Sequence, residues 1–459
     1  MILPEMANWA SLKGLDIISA SDFTHPLWLR ELKTQLKEVS EGLYSLNSHK
    51  NPLFMLTTEL SSIYKQGDKL RRIHNLVFAP SLEVVEKINK EFQKRAFNLM
   101  ADGRPILGIS SKNLLELLLT IDENIMLIPC HVWTPHFGIY GSASGFDSLS
   151  EAFEEFEKYI YGIETGLSSD PEMNWVMDEL SNRSILSFSD AHSGPKMGRE
   201  ATVFAVRNAE VASENFRAHR AGQLGLKNRK AEGARPRSEN FESSPHSNFK
   251  ISYSDILDAI KRKKDSRLAI QYTIEFYPEE GKYHYSGHRN CRIIRGPEEF
   301  IRDGNICPTC KRKLTEGVLF RVQQLSNKKP IESEIKISPK NIKWYMDKNK
   351  KHPPYVKLVP LNEIIAEAES STVSSQKVKE IFINLCKKFT SEIEVLLKTS
   401  MKDLENEAGE KIAKAIGKVR SGDLVIDPGY DGEYGKVKIE IEESENIQKI
   451  KIPQLDLFS

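Results

Sequence analysis

An α/β fold with its reactive groups gathered at strand ends is predicted by two features of the first half of this 459-residue chain. Six apolar runs are separated by helix-like segments, and each carries an Asp, Glu or His at or beside one end. In alternating strand–helix folds, side chains on the loops after the strands converge on one rim. Carboxylates and imidazoles converging in that way are the donors that clusters of hydrolytic metal ions use. The pattern predicts a metallo-phosphoesterase.

The runs follow in order. Residues 15–21 precede Asp22, residues 53–58 precede Glu59, and His74 stands just before residues 76–79. Residues 125–130 precede His131, residues 159–163 precede Glu164, and residues 185–189 precede Asp190 and His192. Asp190 and His192 are two positions apart, so on an extended segment both side chains take the same face. Asp22 and His25, in SASDFTHP, are placed to reach the same rim. The α/β pattern holds over 1–207 and resumes over 249–281. Between them, residues 208–248 are polar, basic and poor in apolar residues, the composition of a disordered insertion.

Composition narrows the class. Hydrophobic residues make up 39% and charged residues 28%, as in ordinary soluble proteins. No apolar run approaches the roughly 20 residues of a membrane span, so a cytoplasmic protein is expected. The net charge of +1 argues neither for nor against nucleic acid. No G-x-x-x-x-G-K-[ST] segment occurs, which argues against a P-loop ATPase.

Three of the five cysteines cluster in residues 282–325. His288 and Cys291, then Cys307 and Cys310, form two knuckles that predict a closed structural zinc site; His284 is a rival fourth ligand. So small a loop-rich segment would draw much of its folding energy from the metal. Arg289, Arg292, Arg295, Lys311, Arg312 and Lys313 flank the ligands and suit phosphate contact. Residues 326–449 read as a Lys-rich connector and a helical C-terminal domain. The connector interleaves Lys with Trp344, Tyr345 and Tyr355, a composition suited to base stacking, and AGEKIAKAIGKVRSG reads as an amphipathic helix with a glycine cap. In the tail, 450–459, Gln454, Leu455, Asp456, Leu457 and Phe458 resemble the peptide by which bacterial replication and repair proteins bind the sliding clamp.

Taken together, SASDFTHPLWL, TTELSSIYKQGDKLRRIHNLVFAP, IPCHVWTPHFGIYGSASGFDSL, IETGLSSDPEMNW and SFSDAHSGPKMGREAT resemble the polymerase-and-histidinol-phosphatase (PHP) family, and within it the endonuclease Q branch. The Cys/His segment and PGYDGEYG share that likeness, which spans nearly the whole chain apart from the basic insertion. The resemblance implies a PHP-type distorted β/α barrel with a zinc-binding module and a mostly helical C-terminal domain. It implies divalent metal (Zn, Mn or Mg) held by Glu59, His74, His131, Asp190 and His192, with Asp22 as a ligand or its supporting neighbour, and with His25, His136 and Glu164 as further candidates. Asp190, Asp22 and His131 would then carry catalysis. The implied activity is a DNA repair endonuclease that nicks 5′ to deaminated bases (hypoxanthine, uracil) or abasic sites. Tyr140, Ser142 and Ser144 are candidates for its base pocket.

The family pattern opens with a strand bearing His-x-His, and nothing of that kind precedes WASLKGLDIISASD. The first barrel strand is therefore expected to be missing, with an in-frame strand encoded upstream of Met1, an unfilled strand position beside residues 15–21, and poor activity in the chain as written. Two rival readings stand beside the endonuclease: a PHP phosphatase of small monoesters, and a non-catalytic, clamp-tethered DNA-binding protein.

Overall fold

The structure is a computed structural model, and it describes residues 1–46, 52–101, 104–207, 250–327 and 333–440. The expected insertion (208–248) and the clamp-like tail (450–459) lie outside the described residues.

Seven strands form the first sheet: β1 (Ile17–Ser19), β2 (Leu36–Ser40), β3 (Leu43–Leu46), β4 (Leu53–Gln66), β5 (Lys69–Ala79), β6 (Ile106–Leu107) and β7 (Met126–Pro129). Their order is β2-β3-β4-β5-β7, with β1 and β6 running parallel to β4. Strands β8 (Gly162–Glu164) and β9 (Ser184–Leu186) pair in parallel beside it. The first sheet departs from the expected strand–helix alternation, because β4 and β5 form one long antiparallel hairpin and β5 pairs antiparallel with β7. Gly67 at φ +59° opens the two-residue turn, as hairpin geometry favours. The run expected to stop at residue 58 continues because Ser61 and Ser62 are buried in the pleat, where Ser62 Oγ accepts from Asn75 Nδ2 at 3.3 Å. Among the described residues β1 pairs only with β4.

Helices pack this sheet through apolar faces set by sequence. In Leu82–Lys94, Val84, Val85, Ile88 and Phe92 are buried at helical spacing, and Ser81 Oγ caps the first turn by accepting from the Val84 N–H.

A further sheet begins with β10 (Ala201–Val206) and β11 (Leu268–Glu275). The Cys/His segment follows, with the hairpin β12 (Ser286–His288) and β13 (Ile293–Arg295). Strands β14 (Ser333–Ile337), β15 (Lys343–Asp347) and β16 (Tyr355–Lys357) then return to complete the order β10-β11-β16-β15-β14. The Lys-rich connector is thus part of a sheet. Its aromatics pack inward or on one another: Tyr355 is fully buried and stacks on Tyr345 at 4.7 Å, while Trp344 meets Tyr272 edge-on at 5.0 Å. Alternating side chains on a strand send these rings to packing, so the base-stacking expectation for this stretch is corrected.

Five helices between Leu361 and Ser421 build a second core. The last, Glu410–Ser421, ends at Gly422 with φ +71°, the glycine cap expected from sequence. The first helix of the chain, Leu3–Lys13, ties the two cores together. Trp9 packs against both, and Lys13 Nζ lies 2.5 Å from Glu392 Oε2 with both side chains buried. Strands β17 (Val425–Asp427) and β18 (Lys436–Lys438) close the described chain.

Candidate active site and metal centre

Glu59 on β4 and His74 on β5 lie diagonally across the hairpin, two registers apart and so on one face, which brings their side chains together. His131 follows β7 and Glu164 ends β8. His74 Nδ1 is approached by Glu59 Oε1 at 2.9 Å, His131 Nε2 at 3.0 Å and Arg104 Nη1 at 3.1 Å. One ring nitrogen carries either one proton or one lone pair, so it cannot satisfy an acceptor, a donor and a second imidazole together. A shared cation would resolve that conflict. Glu59, Cys130 and His131 offer ligand atoms within 4.8 Å of one another, so the donor set fits a divalent metal.

Glu164 fixes His131 from behind. Its Oε2 accepts the His131 backbone N–H at 2.8 Å and lies 3.6 Å from Nδ1. A carboxylate behind an imidazole orients the ring and raises its basicity. Burial opposes charge on His131, yet the hydrogen bond and charge of Glu164, with Glu59 and Asp190, raise its pKa above the ordinary value. Burial pushes Glu59 up, but the His74 hydrogen bond and the charges of His131, His74 and Arg104 bring it down to about 2. Glu59 is an ionised donor at any physiological pH. Burial holds His74 low and therefore neutral, the form that binds metal.

Backbone strain marks the same place. Asp22, His131 and Asp190 have φ of +45°, +30° and +39°, a region that costs non-glycine residues roughly 1–3 kcal/mol each. Asp190 lies close enough to act electrostatically on Arg104, His131 and Glu164. Arg199 holds its loop, donating from Nε to the Ser189 carbonyl at 3.0 Å.

The structure brings Glu59, His74, His131 and Glu164 together, with Asp190 beside them. His192 stands apart: its side chain is 75% exposed and meets Asp190 Oδ1 at 3.4 Å. His25 occupies the N-cap of Pro26–Gln35, and His136 is exposed. Of the base-pocket candidates, Tyr140 is core, its hydroxyl donating to Glu179 at 2.9 Å; Ser144 is buried and Ser142 exposed. Sequence reasoning missed Arg104, which donates to Glu59 Oε1 at 3.0 Å, and Cys130, whose position beside His131 was the available signal.

Behind the site, Glu275 is fully buried and accepts from Thr165 Oγ1 at 3.0 Å. Burial raises its pKa from the ordinary 4.5 to about 8. Between those values the folded state binds more protons than the unfolded state, so stability falls as pH rises from about 4.5 to about 8. Glu275→Gln, which mimics the neutral acid, should raise Tm at pH 8.5 and leave it unchanged near pH 4; a scanning calorimetry profile parallel to the wild type would contradict this.

In the Cys/His segment, ligand atoms of His288, Cys291, Cys307 and Cys310 lie within 4.8 Å of one another. Cys310 Sγ is 3.3 Å from His288 Nδ1. The backbone N–H groups of Cys310 and Thr309 bring the Cys307 thiol down to about 6, the thiolate character a metal knuckle needs. His284 is not part of this group; it is buried and stacked on Tyr285 at 5.3 Å. All described cysteines are free.

Comparison with known proteins places this geometry. Residues 360–423 match the family described as the MJ0043 C-terminal domain. The chain is 27% identical over 307 residues to the uncharacterized protein MJ0043 of Methanocaldococcus jannaschii, covering 66% of this chain but only 31% of that protein. It is 25% identical over 437 residues to the uncharacterized protein YqxK of Bacillus subtilis, covering 93% of this chain and 89% of YqxK. Among solved structures, the lesion-specific endonuclease PfuEndoQ from Pyrococcus furiosus superposes with a TM-score of 0.72 at 26% identity, covering 97% of this chain and 92% of that one. Endonuclease Q bound to a 27-mer duplex with an abasic lesion at its active site gives 0.72 at 27% identity, covering 97% and 93%. No helix among the described residues is long and apolar enough to cross a membrane. By fold and by sequence over nearly its whole length, this chain is similar to the endonuclease Q structures.

Proposed function

We propose that this chain is a metal-dependent DNA repair endonuclease that hydrolyses the phosphodiester 5′ to deaminated bases or abasic sites. The observation that carries the reading is the convergence of Glu59, His74 and His131 on one point, in a chain whose structural neighbour was crystallised on an abasic duplex. Glu59, His74, His131 and Asp190 would hold the metal, with Asp22 and His192 as further ligands from their own loops. Divalent metals there would supply a hydroxide nucleophile and stabilise the leaving oxygen. Glu164 keeps the His131 ring in place, and the Arg104 guanidinium, which donates to Glu59, would meet a phosphate oxygen once substrate is bound. In this reading residues 1–207 with 249–281 form the PHP barrel, 282–325 the zinc module and 326–449 the C-terminal domain.

The test is an oligonucleotide carrying one deoxyinosine, deoxyuridine or abasic site, incubated with the protein and manganese, magnesium or zinc. A single metal-dependent nick 5′ to the lesion is expected. Hydrolysis of small phosphate monoesters without nicking would favour the phosphatase, and metal-independent DNA binding without cleavage the scaffold.

Two parts of the proposal have their own checks. Cys307→Ala should lose one zinc equivalent by elemental analysis and weaken duplex binding while the barrel stays folded; unchanged zinc content ends the structural-zinc assignment. Deleting residues 454–459 should abolish binding to the sliding clamp and leave cleavage of a short free oligonucleotide intact. A tail peptide without measurable clamp affinity would overturn that part.

A further inference from the structure

Among the described residues, the most exposed Phe, Tyr or Trp side chain sits on a loop held against the Cys/His module. Tyr434 is 71% exposed, and Lys282 Nζ lies 4.5 Å from its ring centroid. The loop carrying it, 428–435, is stitched to the Cys/His module by main-chain bonds. Tyr285 N–H donates to the Gly429 carbonyl, Gly432 N–H to Lys282 and Gly435 N–H to Glu280. Asp431 Oδ2 accepts the Arg289 N–H at 2.7 Å, and its Oδ1 accepts from Thr315 Oγ1.

Glycines let this loop approach the active site. A β-carbon on Gly435 would meet the Glu279 carbonyl at 2.2 Å, and one on Gly429 the Gly281 carbonyl at 2.4 Å. Gly281 in turn packs on the Leu167 carbonyl, and Gly166 on His131. Backbone contacts in series therefore link this loop, through residues 281 and 166–167, to the segment that packs on His131. The module beneath carries nine Lys and Arg against four Asp and Glu, a basic surface complementary to phosphate.

We infer that Tyr434 is a positioning residue that stacks on a nucleobase of the bound duplex, beside the step opened when the lesion nucleotide leaves the helix. The inference rests on the endonuclease reading and adds to it a named contact outside the metal centre. An exposed ring, fixed by its loop and flanked by cations, loses little freedom on stacking, and every base offers it a face.

The experiment measures binding of wild type, Tyr434→Ala, Tyr434→Phe and Lys282→Ala to an abasic duplex over a salt series, with 2-aminopurine next to the lesion. Tyr434→Ala should bind about tenfold more weakly with an unchanged salt slope and lose the 2-aminopurine fluorescence change, and Tyr434→Phe should retain both. Lys282→Ala should lower the salt slope by about one, as loss of a phosphate contact does. Wild-type affinity and fluorescence in Tyr434→Ala would overturn the inference while leaving the endonuclease reading standing. Equal weakening in Tyr434→Phe would overturn it too, by showing a hydroxyl or structural role. Failure of the wild type to bind the duplex would overturn both.

Discussion

Replacing His131 with alanine is expected to abolish lesion-directed nicking, with a loss of more than about 100-fold, and to remove bound metal. His131 offers Nε2 to the point where His74 and Glu59 meet, and its backbone is held at φ +30°. Glu164→Gln is the graded companion: its amide oxygen can still accept the His131 N–H, but the negative charge behind the ring is gone. Losses of about 10–100-fold in metal affinity are expected, with the fold intact. Equal activity of His131→Ala and wild type at saturating metal would remove the site from this account.

The largest effect on stability is expected far from the chemistry. Lys13→Ala leaves Glu392 buried without its cation, and breaking such a pair costs about 3–5 kcal/mol. Glu392 also accepts the Leu361 N–H at 2.9 Å, and Lys13 lies 5.2 Å from the Phe382 ring centroid, so the loss falls where the first helix grips the helical domain. Chemical denaturation of Lys13→Ala should show that destabilisation. The double variant Lys13→Met with Glu392→Leu should recover much of it, since an apolar pair of similar size avoids the desolvation cost. A change below about 1 kcal/mol in the single variant would show that the pair is solvated.

What the sequence revealed follows from how each feature is encoded. The short strands at Ile17–Ser19, Met126–Pro129, Gly162–Glu164 and Ser184–Leu186 fall in apolar runs bounded by polar loops, and they lie where periodicity puts them. The β4–β5 hairpin hid because its polar residues, Ser61, Ser62, His74 and Asn75, are buried within the pleat and paired across it, so alternation is broken where the site is built. Glu59, His74, His131 and Glu164, which the structure brings together, were readable because each stands at or near a run's end. Arg104 was not, since its partners Glu59 and His74 are 45 and 30 residues away and nothing local marks it. The grouping of His288, Cys291, Cys307 and Cys310 was readable from spacing, because two short loops bring the four side chains together. The connector's aromatics were misread because composition does not say which side of a strand a ring takes.

The most direct measurement is a crystal of the protein grown with manganese, with anomalous scattering recorded at the manganese edge. A peak bonded to Glu59, His74 and His131, with the Arg104 guanidinium moved off His74 Nδ1, is the predicted result. Well-ordered side chains with no peak between them, and Arg104 still bridging Glu59 and His74, would contradict the metal centre and with it the proposed hydrolysis.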